Sequence, residues 1–400
     1  MRRLSGILLL VAACAARDAE STDAATSAYL AEVPAVALHD VAVLFPLPAP
    51  GDTSGLWPAE RDLGDGRALL PESVVDQLGS IVAGEPNRTT YASLRVVSLR
   101  LEPCFVPAAQ TAPAPATPAC ERQIRFVLQP LSVDPAGERP STTLDAAVHV
   151  VYALPTTAFA ELVSGVVALR TAAAPQPNAP LGIHPVLAAE GLAGPFARGL
   201  LPLVLGSTAK GHLARVTFMG VRGRGNEWQL GGVSVAEDGT VTPLPIPSSG
   251  APLQSIVLQR GAQTFVKSIS PQTAGTDDVS LLFDALGASI AAAPEISAAL
   301  RAANRIENPD LRSSEDTDCA TCHTVASSRL WGEKTFAIHE DADRYAAPGF
   351  DLSATSTQTA DLGVLRALGY FGSDAAISPR AIHDTAKAAQ TIRAGSRGRP

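Results

Sequence analysis

The feature that most restricts the fold of this chain is a series of short runs in which apolar and polar side chains alternate. Tyr91 to Leu101 alternates like a half-buried strand, and Arg125 to Leu131, Ala146 to Leu154, Leu213 to Met219 and Glu227 to Val235 repeat the pattern. Ser255 to Leu258, Thr264 to Ile269 and Val279 to Phe283 also favour strands. A period of two puts every second side chain on one face, so these segments demand a sheet with a covered side. Thr156 to Leu169 and His184 to Ala197 carry helical patterns between the strands. Residues 35–290 are therefore expected to form a β-rich mixed region, as one domain or two. It contains no catalytic constellation. Asp76, Glu85, Asp134 and Glu138 are scattered, and neither His-Glu-x-x-His nor a Walker sequence occurs. Gly220-Val221-Arg222-Gly223-Arg224-Gly225 lacks the dinucleotide-binding fingerprint and reads as a hairpin turn.

The amino end has a different character. Arg2 and Arg3 precede the apolar run Leu4 to Ala13, which is too short to span a bilayer and reads as a secretory signal over residues 1–13. Val11-Ala12-Ala13-Cys14 resembles the lipobox of bacterial lipoproteins. That resemblance implies acylation at Cys14, cleavage before it and an anchor in membrane lipid, with residues 14–34 as a flexible tether. It places the protein in the bacterial cell envelope, facing the periplasm or the exterior. The 31 basic residues against 39 acidic ones give a net charge of −8, and losing Arg2 and Arg3 takes it to about −10. A nucleic-acid partner is excluded by that balance, because phosphate binding needs a concentrated basic surface.

Four cysteines remain, in two close pairs. Cys104 and Cys120 flank a segment dominated by Ala, Pro and Thr, which cannot build a core. In an oxidising compartment a disulfide closing this loop is the leading reading and removes about 3 kcal/mol of unfolded-chain freedom. Free thiols and a metal site are the alternatives, and no histidine or acidic pattern nearby favours metal. The second pair lies in Asp318-Cys319-Ala320-Thr321-Cys322-His323. Cys-x-x-Cys-His suits covalent haem attachment: two thiols reach one porphyrin edge, and the adjacent histidine reaches iron. A dithiol redox site would want a preceding strand in a βαβ unit, whereas Ala292 to Arg305 reads helical. A zinc site would want a second ligand pair at local spacing, which does not follow.

From about Ala292 to the end, the chain resembles a small monohaem cytochrome c domain, on the strength of Cys319, Cys322 and His323. The resemblance implies one covalent haem c within residues 291–400, a shell of helices, and His323 as the proximal iron ligand. Pro294 to Arg305, Asp361 to Leu368 and Ser378 to Ile392 supply the helices, with Ser378-Pro379 as a cap and first turn. The fold class expected is α+β, a β-rich domain followed by a small mainly α one. Many such cytochromes use a later methionine as sixth ligand, but Met1 and Met219 both precede His323. His339, beside the apolar Phe336-Ala337-Ile338, is favoured over His383, and an open position is the alternative. One-electron transfer to a redox protein partner is the leading function, and the protein is more an electron carrier than a catalyst. A haem enzyme or sensor with an open distal site is the second reading. A binding or scaffold lipoprotein with a Cys319–Cys322 disulfide is the third. Lys387, Arg393, Arg397 and Arg399 are read as a basic, solvated tail.

Overall fold

The computed structural model describes residues 36–52, 55–105, 120–173, 179–222, 226–260, 265–273, 275, 277–353 and 368–396. The signal segment, Cys14, the tether to residue 34, Arg397, Arg399 and residues 361–367 of one expected helix lie outside these. In chain order the elements begin with α1 (Leu38–Val41), β1 (Ala42–Leu44), α2 (Glu72–Val75), α3 (Asn87–Ser93), β2 (Leu94–Phe105) and β3 (Glu121–Ser132). There follow β4 (Thr142–Thr143), β5 (Ala147–Leu154), α4 (Thr156–Ala173), α5 (Pro185–Glu190), α6 (Pro195–Ala209), β6 (His212–Arg222) and β7 (Glu227–Val235). Next are β8 (Val241–Pro243), β9 (Leu253–Arg260), β10 (Phe265–Ser270), α7 (Ala285–Ile290), α8 (Ala293–Glu307) and α9 (Cys319–Phe336). The chain closes with β11 (Leu368–Phe371), β12 (Asp374–Ile377) and α10 (Pro379–Ser396).

Ten strands form one antiparallel sheet in the order β1-β2-β3-β5-β6-β7-β9-β10, with β4 beside β3 and β8 beside β7. β11 and β12 form a separate hairpin. The alternation read from the sequence sorts the sheet into two unlike faces. Leu99, Phe126, Val150 and Val216 occupy one face, fully buried in the same core as Leu162 and Val166 of α4 and Leu200 and Val204 of α6. The opposite face carries Arg100, Arg125 and Arg215, together with Thr217 and Met219. The C-terminal region covers that second face. Gln129 Nε2 donates to Tyr370 O at 3.0 Å and its Oε1 accepts the Tyr370 amide at 2.7 Å, tying the β11–β12 hairpin to β3. Ala381, Ile382, Ala386, Ala389 and Ile392 of α10 join the main core. α8 and α9 share a smaller core around Leu282, Leu300, Ala303 and Val325. The fold is thus α+β, and the motif-bearing helix rests on the sheet.

Several sequence readings are displaced for local reasons. Tyr91 to Ser93 end α3, whose first turn follows Pro86, and strand β2 starts only at Leu94. The helix expected over 184–197 is two helices, because Gly191 takes a left-handed φ of 74° and Pro195 opens a new first turn. Val279 to Phe283 is not a strand: residues 280–283 form a 3₁₀ turn, started by the Asp278 side chain accepting the Ser280 amide at 2.9 Å. Leu368 opens β11 and is not helical. Lys387 and Arg393 belong to α10: Lys387 pairs with Asp310, and Arg393 Nε donates to Val36 O at 2.8 Å.

A Cys104–Cys120 disulfide joins the end of β2 to the start of β3, with Cα atoms 4.7 Å apart. It closes the hairpin where Phe105 pairs with Glu121. Replacing both cysteines with alanine is expected to cost about 3 kcal/mol in a urea unfolding curve, leaving the far-ultraviolet circular dichroism unchanged.

Candidate functional site

Helix α9 begins at Asp318, whose Oδ1 accepts the Thr321 amide at 2.9 Å and so caps the first turn. The same carboxylate accepts from Gln254 Nε2 at 2.7 Å and from Thr273 Oγ1 at 2.8 Å. Gln254, buried on β9, also accepts the Ala320 amide at 2.9 Å and donates to Pro271 O at 3.1 Å. Its amide is therefore fully used in fixing the helix start to the sheet. Beneath it Met219, Trp228, Leu230, Ile256 and Leu258 pack with Ala320. The expected shell of helices is not what the first turn of the motif meets: the surface there is a strand face.

Cys319, Cys322 and His323 stand at positions i, i+3 and i+4 of α9, so all three share one helix face. Both cysteines are free and half-buried. All three residues line one cavity of about 180 Å³. Burial pushes the Cys319 thiol up to about 12, with the nearby Cys322 and Asp318 adding to it. Cys322 is also raised by burial, against the opposing pull of Arg380.

The sheet supplies the facing wall in three rungs set by strand register. Arg100, Arg125, Val151 and Arg215 form the first. His149, Thr217 and Gly232 form the second. Met219, Leu230 and Gln254 form the third, next to the start of α9. Successive rungs are two residues apart, about 6.6 Å along the strands. Arg380 and Asp384 of α10 close the cavity at the first rung.

The first rung is an extended ion network. Glu102 Oε1 takes Arg100 Nη2 at 2.5 Å and Arg125 Nη2 at 2.9 Å, while Asp384 takes Arg100 Nη1 at 3.4 Å and Arg380 Nε at 2.9 Å. Burial alone would raise the Glu102 carboxyl, but Arg125, Arg100 and Arg215 outweigh it and hold it at about 2. Arg215 donates to the neutral Gln123 Oε1 at 2.6 Å, and its guanidinium carbon lies 3.5 Å from the Phe105 ring centroid. Burial, reinforced by Arg125, pulls Arg215 down to about 10.

The other predicted site residues are dispersed. His339 is exposed, three residues past the end of α9, and His323 lies about 20 Å from that end at 1.5 Å per residue. The neighbouring Glu340 bonds to Ser297 and accepts Asn304 Nδ2 at its main-chain oxygen, which fixes this segment against α8. The structure therefore does not bring His339 to the motif. His383 is held by Glu307 O at 2.8 Å from its Nδ1 and lies beside Tyr345, its basicity lowered by burial. Met219, upstream of the motif by a hundred residues, does line the cavity. The arginine rung and Gln254 escaped sequence reading because only strand register places them together. Among the described residues no group of three or more His, Cys, Asp and Glu side chains could hold a metal ion, and no helix is long and apolar enough to cross a membrane.

Two outcomes are expected. Gln254→Leu leaves the buried Ala320 amide without its acceptor and removes one of three donors to Asp318, and is expected to lower unfolding free energy by about 2 kcal/mol in urea. Glu102→Gln is expected to cost about 3 kcal/mol at pH 7, because Arg100 and Arg125 lose their shared anion. The Glu102 carboxyl is depressed from 4.5 to about 2, so its stabilisation is full above pH 4.5 and is lost as pH falls toward 2. The variant's stability curve is expected to be flatter across that window. No protein-family model matches the chain, and no curated protein or solved structure matches it either.

Proposed function

We propose that this chain is an exported one-electron carrier holding a single haem through Cys319 and Cys322, with His323 as an axial ligand and Cys14 as the lipid anchor. The observation that carries the reading is the sharing of one helix face and one cavity by two free thiols and a histidine. The donor set suits a covalently attached porphyrin. The thiols sit at the spacing that would reach two vinyl groups and the facing wall offers the apolar Val151, Met219 and Leu230, but the cavity of about 180 Å³ is smaller than a porphyrin, so α9 would have to part from the sheet to admit one. When bound, haem supplies an iron that cycles between ferrous and ferric forms.

The chain's own residues do the rest. Gln254 and Asp318 hold the first turn of α9 rigid, so that Cys319, Cys322 and His323 keep one orientation. Met219 and Leu230 are buried and would keep water from that side of the group. Met219, which lines the same cavity, would be the thioether at hand for such a group, whereas His339 lies far from the motif. A redox protein partner on the envelope surface receives or supplies the electron. Mature protein made in a host that attaches haem after export is expected to give sharp reduced bands and a one-electron Nernst titration. Cys319→Ala with Cys322→Ala is expected to abolish the covalent chromophore; bands that survive denaturing extraction in that variant would contradict the reading.

A further inference from the structure

Two buried histidines take no part in the cavity. His39 of α1 is 3% exposed, and His184, which precedes α5, is fully buried. Their rings meet edge to face with centres 5.5 Å apart, and His184 stacks on Phe196 of α6 at 4.4 Å. The bonds around them fix the neutral form of each ring. His39 Nε2 donates to Pro180 O at 3.1 Å, so its Nδ1 carries the lone pair, and that atom is buried without a partner. His184 Nδ1 accepts the Leu187 amide at 3.4 Å and caps α5, so its Nε2 carries the proton, again buried without a partner. A further proton is unwelcome at either ring: on His184 Nδ1 it sets one donor against another, and on His39 Nδ1 it finds no acceptor.

The charged groups around the pair do not favour a cation. Asp40 of α1 is engaged by Arg170 of α4 at 2.6 Å and by the Ala37 amide at 2.7 Å, with Arg393 of α10 acting on it as well. Arg170 and His39 both repel a charge on His184. Glu190 of α5 accepts the Phe196 amide at 3.0 Å, and β1 contributes no ionisable side chain. Burial lowers the basicity of both rings, His184 to about 3. An opened segment has ordinary histidines that take up protons below about pH 6.5, so closure is at full strength above that value and weakens as pH falls. Burial raises the Asp40 carboxyl, which acts in the opposite sense, so loss of closure in acid belongs to the histidines.

The rings hold one particular piece of chain. The His184 amide donates to Leu44 O at 2.9 Å, and Ile183 bridges to Leu44 on the edge strand β1. The ring bonds at Pro180 and Leu187 bracket that main-chain tie. We propose that His39 and His184 form an acid-sensitive latch that holds residues 180–190 against α1 and β1 and releases them in mild acid. Release uncovers Leu181, Val186 and Leu187, which are buried in the main core. The latch is independent of what Cys319 and Cys322 hold.

The test is hydrogen–deuterium exchange of the full chain, read as protection so that the pH dependence of the intrinsic rate is removed. Peptides within 180–190 are expected to lose protection about twentyfold between about pH 7 and pH 5, the linkage for one histidine that takes up its proton only on opening. The interior of α4 and strands β5 and β6 keep theirs. His39→Gln with His184→Asn retains a donor for Pro180 and a cap for α5 without a titrating ring, and is expected to abolish the loss. His383, also buried with lowered basicity, is untouched in that variant, so a loss that survives there overturns the proposal. Unchanged protection of 180–190 in the native chain, or an equal loss in every segment, overturns it too. A histidine-selective NMR titration of the native chain decides without any variant: His184 is expected to stay neutral until the segment opens, and His184 titrating near its ordinary value while 180–190 stays protected contradicts the latch.

Discussion

A ten-stranded antiparallel sheet must find a cover for each of its faces, and in this chain the two covers are unlike. One face is aliphatic and aromatic, and helices α4 and α6 bury it in an ordinary core. The other bears arginines, a threonine and a methionine, which such a core would not accept. Burying a guanidinium without an anion costs several kcal/mol, so this face needs a cover that brings carboxylates and leaves a polar space. The C-terminal region does both: Asp384 of α10 completes the ion network, and Gln254 clamps the first turn of α9 to the sheet. The cavity is the gap between those two supports.

That arrangement ties the Cys-x-x-Cys-His motif to the rest of the molecule. Gln254 sits on β9, deep in the first three hundred residues, yet bonds to the cap and the second residue of α9. Phe105, adjacent to the Cys104–Cys120 disulfide, lies beneath Arg215. The disulfide thus steadies one end of the cavity, and the buried amide steadies the other. A site built on rigid strands and a doubly anchored helix end holds its groups in one geometry more firmly than a loop would.

Much of the scaffold was legible in the sequence because it follows from local periodicity. Val148, Val150 and Tyr152 alternate with His149 and Val151, and β5 forms where that pattern predicts. Ser378 and Pro379 mark the start of α10, with Ser378 Oγ accepting the Ala381 amide at 3.2 Å. Local pattern fails where one residue redirects the chain, as at Gly191 and Asp278. It fails more completely for the site. Cys319, Cys322 and His323 announce themselves by spacing, but Arg100, Arg125 and Arg215 are more than a hundred residues apart at the extremes, and only register aligns them. The preference for His339 drew on its apolar neighbours, without the length of helix that separates it from His323. Met219 precedes the motif by a hundred residues, and only the sheet register places it on the cavity wall.

The central claim is that Cys319 and Cys322 are attachment points for one prosthetic group at this cavity. The most direct measurement is the intact mass of the mature exported protein, followed by the mass of the proteolytic peptide containing both cysteines. A whole-protein gain of one haem, carried entirely by that peptide and absent from Cys319→Ala/Cys322→Ala, is the predicted result. A mature protein with no added haem, and with the two thiols recovered free or joined to each other, would contradict the account.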